Sequence, residues 1–117
     1  MKKIVRFCLF VPLLLLVSCT SKPVVTPPAD LIGEDTMVQM IAEQLIVESI
    51  VFNAPPDCNK EELSRAHYSQ FFEKYNVTVP RYNSSLTYYF ADKKRMEDIM
   101  ARAKALIDQK KESLPTQ

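Results

Sequence analysis

Apolar positions come in separate blocks, and the spacing inside the blocks changes along the chain. Residues 7–17 are almost continuously apolar behind Lys2, Lys3 and Arg6. Residues 20–29 mix Ser, Thr and Val with Pro23, Pro27 and Pro28, a composition that prevents a helix and favours extended backbone. From Leu31 onward the apolar positions take the helical period. Val38, Ile41, Ala42, Leu45 and Phe52 form one stripe, and Met37, Met40, Val47 and Val51 form a second. A helix apolar on two sides belongs in the middle of a bundle, with Gln39 and Glu43 at its wet edge. The run Leu31-Ile32-Gly33-Glu34-Asp35 opens this helix, and its two carboxylates suit the positive end of the dipole.

The clearest break is residues 53–59, where Pro55 and Pro56 stop the helix. Asn59 with Glu62 resembles a capping box for a second helix over Lys60 to Tyr75, whose buried side is Leu63, Ala66 or His67, Phe71, and Phe72 or Tyr75. A turn at residues 76–80, with Thr78 or Val79 as cap, leads into a short third helix near 80–90. Tyr82, Leu86 and Tyr89 share its inner face. Asp92 is a good cap for a fourth helix carrying the cleanest stripe in the chain: Met96, Ile99, Met100, Ala103, Leu106 and Ile107. Asp98 and Arg102 are spaced to pair, Lys110 and Lys111 suit the negative end, and Pro115 stops the run. The pattern does not decide whether the third and fourth helices are continuous. The expected fold is all-α: a small three-to-four-helix bundle, one domain over residues 31–114, with a tail at 115–117.

The N-terminal block carries a different message. Leu16-Val17-Ser18-Cys19, closing an apolar run of about 10 residues behind a basic start, resembles the lipobox of bacterial lipoprotein signals. The run is too short for a membrane span, which needs about 20 apolar residues. The resemblance implies cleavage between Ser18 and Cys19 after residues 1–18, with a diacylglycerol joined to the Cys19 sulfur. Acylation of the new amino group follows in a two-membrane bacterium. At about 0.8 kcal/mol per buried methylene, two or three acyl chains give effectively permanent anchoring. Residues 19–30 then form a lipidated, Pro-rich tether; ten extended residues reach about 30 Å. Thr20 stands where Asp would resemble an inner-membrane retention signal. The expected location is therefore the cell envelope, at the outer membrane facing the periplasm, with exposure at the cell surface as the alternative.

Without residues 1–18 the chain of 117 leaves 99, and the 12 remaining basic residues face 14 acidic ones, a balance of −2 that points away from nucleic acid. Between Asp30 and Glu62, eight acidic residues face Lys60 alone, whereas residues 63–117 carry ten basic against six acidic. An acidic first helix beside a basic last helix is the simplest use of that asymmetry. Cys8 leaves with the signal and Cys19 is taken by lipid, so Cys58 is the one free thiol of the mature chain.

Residues 31–37, LIGEDTM, and residues 72–78, FEKYNVT, with Tyr82, Ser85, Leu86, Tyr88 and Tyr89 beyond them, resemble a family of small lipoproteins catalogued as domain of unknown function 4296. The resemblance runs from about Leu31 to Leu106. It implies a lipoprotein of this size and helical content, and it supplies no activity and no catalytic residues.

No catalytic constellation stands out. His67 is the sole histidine, nine residues after Cys58, so a thiolate–imidazole pair is conceivable across a helix start. One His and one usable Cys fall short of the three or four protein ligands of a zinc site. Gly33, the sole glycine, cannot make a phosphate loop. Tyr88, Tyr89 and Phe90 follow one another on a helix that turns about 100° per residue, so at least one ring should face outward as a candidate partner surface. The expected role is a non-enzymatic, membrane-anchored module that meets an envelope protein partner. It has no catalytic residue, no metal, and no cofactor beyond the lipid on Cys19. The rival readings are a small enzyme or redox protein using Cys58 and a holdase for envelope proteins.

Overall fold

A computed structural model describes residues 24–113, and in them the chain forms four helices. These are α1, Glu34–Phe52; α2, Lys60–Tyr75; α3, Val79–Phe90; and α4, Lys93–Glu112. No strand occurs among the described residues, so the architecture is a small all-α bundle. The signal at residues 1–18, Cys19 and the tail at 115–117 lie outside the described residues.

Three of the four helix starts are fixed by the side chains the sequence points to. The Asn59 Oδ1 accepts from the Glu62 N–H at 3.2 Å, the Thr78 Oγ1 from Arg81 at 3.4 Å, and the Asp92 Oδ1 from Arg95 at 3.0 Å. Pro80 falls in the first turn of α3, where its missing N–H removes no intrahelical bond. Asn76 ends α2 in the left-handed region, φ 49 and ψ 46, a conformation Asn tolerates better than most side chains. The third and fourth helices are separate: Asp92 leaves helical geometry, with ψ 114, to cap α4.

The opening of α1 differs from expectation. Its helix begins at Glu34, and Gly33 precedes it in extended geometry, ψ 143, without a side-chain cap. Leu31 and Ile32 are therefore pre-helical, and the chain turns just before them, where the Leu31 N–H donates to the Pro28 carbonyl at 3.2 Å.

α1 is the central helix. α2 runs antiparallel to it, so Glu43 meets Tyr75, Glu48 meets Tyr68, and the Lys60 ammonium donates to the Phe52 carbonyl at 2.9 Å. α4 runs parallel to it, with Arg102 beside Glu34 and Ile107 beside the last turns of α1. Met37 and Met40 from α1, Phe71 from α2, Tyr82 and Tyr89 from α3, and Ile99 and Ala103 from α4 share one core with Ile32. Each such large apolar side chain contributes about 1.5–3 kcal/mol through burial.

Four expectations change, and one open choice is settled. Phe52 and Leu45, placed on the buried stripe by their spacing, are 81% and 37% exposed, because the short α3 does not extend over that part of α1. Met100 is exposed at the edge of the α4 stripe. Ala66 is exposed while His67 is half-buried, which settles the choice between them in α2. Glu43 is no wet edge: its side chain is only 21% exposed and bonds across to α2.

Candidate functional site

The residues with chemical potential do not assemble. Cys58 is a half-buried free thiol in the turn before α2, where its N–H donates to the Pro55 carbonyl at 3.0 Å. His67 lies inside α2, and no hydrogen bond joins the two side chains among the described residues. Among the described residues no cluster of three His, Cys, Asp or Glu side chains could hold a metal ion.

The polar chemistry is used at the entrance of the domain instead. Arg81, Ser85 and Tyr89 follow one another at helical spacing along one face of α3. All three grip the backbone of the chain just before α1. The Arg81 Nε donates to the Asp30 carbonyl at 2.7 Å. The Ser85 hydroxyl accepts the Ile32 N–H at 3.1 Å, and the Tyr89 hydroxyl donates to the Ile32 carbonyl at 2.7 Å. Ser85 is completely buried, so without it the Ile32 N–H would lose its partner in a place water does not reach. Two residues later the grip passes to α4. Arg102 donates to Glu34 at 2.7 Å, to Asp35, and to Asp98 at 3.4 Å. The acidic start of α1 and the basic α4 therefore meet through one guanidinium.

A second polar seam runs along α1. The Glu43 Oε2 accepts from the Lys74 ammonium at 2.6 Å and from the Tyr75 hydroxyl at 2.8 Å. Burial by itself would raise the Glu43 pKa, but these two donors and the charges of Lys74 and Lys110 outweigh it and hold the carboxyl below its ordinary value. The Tyr82 hydroxyl donates to Gln44, and Gln44 in turn donates to Glu48 at 2.9 Å. Burial, with the charges of Tyr68 and Glu48 added, pushes the Tyr82 phenol up to about 12. Tyr75 rises further, through burial and then its bond to Glu43.

The candidate aromatic surface on α3 is mostly covered. Tyr89 is 4% exposed and belongs to the core. Its ring packs in the core cluster while its hydroxyl bonds the Ile32 carbonyl. Tyr88 and Phe90 are half-buried, and the Arg95 guanidinium lies over the Tyr88 ring at 5.5 Å.

The uncovered apolar surface lies elsewhere, at the far end of α1. Leu45, Ile50 and Phe52 are all exposed there. A groove of about 350 Å³ runs between α1 and α4, with Leu45, Ile46, Ile50 and Ile107 along it and Lys110 and Lys111 at its edge. A shallower one of about 370 Å³ lies on the α2 side, between Phe52 and Tyr68. α3 has 12 residues against 19 in α1 and 20 in α4, and its bonds to α1 and its approach reach no further than Gln44. Among the described residues, the last two turns of α1 therefore have a neighbour on either side and none on top.

Compared with protein families, residues 28–113 match the model described as Domain of unknown function (DUF4296). The chain belongs to the DUF4296 family. The match takes in all four helices and the pre-helical segment that α3 grips, so every residue of this clasp lies within the matched stretch. Searches of curated proteins and of solved structures each return no match. No helix among the described residues of this DUF4296 chain is long and apolar enough to cross a membrane.

Proposed function

We propose that this DUF4296 protein is a lipid-anchored envelope lipoprotein whose helical domain serves as a non-enzymatic protein-interaction module. Cys19 carries the lipid, the tether lifts the domain from the outer membrane on its periplasmic side, and the partner is an envelope protein. The observation that carries this reading is the polarity of the domain along α1. At one end Arg81, Ser85 and Tyr89 hold the chain as it arrives from the tether. Toward the other, about 16 to 27 Å along α1 from its first residue at 1.5 Å per residue, Leu45, Ile50 and Phe52 stay uncovered. A rigid entrance and an apolar exit suit a domain that presents one surface away from its anchor. The location of that surface replaces the α3 aromatics: Tyr88 and Phe90 are secondary, and the end of α1 takes their place.

The test is chemical and cellular together. Mass spectrometry of the chain from its own bacterium should find a mature N-terminus at Cys19 with acyl chains attached. Cys19→Ser should move the protein from the membrane fraction and end its recovery with a partner. An unmodified Cys19 in a soluble chain would refute the anchor.

A further inference from the structure

Building on the interaction-module reading above, we infer that the groove between the C-terminal halves of α1 and α4 receives an amphipathic helix of a partner protein. That helix carries carboxylates along the edge facing α4. The groove supplies both halves of such recognition. Ile46 and Ile50 stand one helical turn apart on α1, Leu45 flanks them and Ile107 faces them from α4. Rows with this spacing form the ridges between which a further helix packs. The edge is cationic: Lys110 and Lys111 line it, and no salt bridge among the described residues engages either one. An occupant with carboxylates there is steered and registered by them.

Charge also separates this occupant from its competitors. A second copy in an isologous contact would bring the same patch against itself, and that patch carries Lys110 and Lys111 with no carboxylate among its lining residues to meet them. A membrane with anionic headgroups would approach the whole end of the domain. There Asp57, Glu61 and Glu62 stand beside the end of α1, because Lys60 ties the start of α2 to Phe52. A broad anionic surface meets those carboxylates, whereas a narrow helix lying along the α1–α4 seam does not.

The probes are two synthetic amphipathic helices with the same Leu stripe, one flanked by Glu and the other by Lys. The full chain is used in nanodiscs of zwitterionic lipid if Cys19 is acylated and free in buffer if it is not, so failure of the anchor and failure of the groove are read apart. The Glu-flanked helix should bind, and the Lys-flanked helix should bind about three- to tenfold more weakly, the range expected for one or two exposed ion pairs. Lys110→Glu with Lys111→Glu should reverse that order, and Ile50→Glu should weaken both. All of these positions are exposed, and unchanged helicity and melting will show that the variants fold. Equal binding of the two helices, or binding of neither, overturns the proposal. So does concentration-dependent dimerisation abolished by Ile50→Glu, which would make the occupant a second copy. Binding to phosphatidylglycerol vesicles that depends on Lys110, Lys111 and Ile50 would make it a membrane.

Discussion

The hydroxyl of Ser85 accepts the backbone N–H of Ile32 at 3.1 Å, joining residues 53 positions apart in a fully buried contact. Ser85→Ala should destabilise the domain by about 1–3 kcal/mol, the cost of a buried donor left without a partner. Tyr89→Phe removes the matching bond to the buried Ile32 carbonyl and should likewise cost about 1–3 kcal/mol. Urea unfolding of both variants measures this. Because the two hydroxyls serve one residue, the double variant should depart from additivity.

The core and the uncovered end of α1 should respond in opposite ways. Ile99→Ala empties a site with no exposure and should cost about 2–5 kcal/mol. Phe52→Ser, at a residue 81% exposed, should change stability by no more than about 0.5 kcal/mol. Thermal melts of the two variants separate a packing role from a surface role.

Stability should fall in strong alkali. Tyr68, Tyr75, Tyr82 and Tyr89 all have phenol pKa values raised above the usual 10.0, chiefly by burial, and Tyr82 reaches about 12. A raised folded pKa contributes stability that is complete below 10 and is lost as pH climbs through the folded value. Tyrosinate absorbance should therefore lag behind that of free tyrosine until the helical circular dichroism is lost, and then catch up.

On the acid side the sign reverses. Glu43 is held below its ordinary 4.5, so its contribution is intact above that pH and disappears as pH falls through the lower folded value. Glu43→Gln should flatten the acid limb of a stability–pH curve, while Lys74→Met should move the limb toward higher pH by removing the cation that holds Glu43 down.

The sequence makes the local features legible because each depends on a few neighbouring residues. Asn59, Thr78 and Asp92 announce their helices, and the Ile99 and Ala103 stripe announces the buried face of α4. What escapes is whatever depends on where α1 ends relative to its neighbours. Phe52 and Leu45 follow the same period as Val38 and Ile41, yet α3 is too short to cover them. Periodicity reports a face and says nothing of what lies over it. The clasp escapes for a related reason: Arg81, Ser85 and Tyr89 share a face of α3, but their partners are backbone atoms of Asp30 and Ile32, which leave no side-chain signature. A serine on the inner face of a helix rich in aromatics was the one available signal.

The most direct test of the account is site-specific photocrosslinking in cells that make the full chain. The crosslinker is placed at position 50 on the uncovered end of α1 and at position 83 on the exposed face of α3. One discrete protein adduct is expected in the membrane fraction from position 50, none from position 83, and loss of the adduct when Cys19 is replaced by Ser. Adducts of equal strength from both positions, or none from position 50, would contradict it.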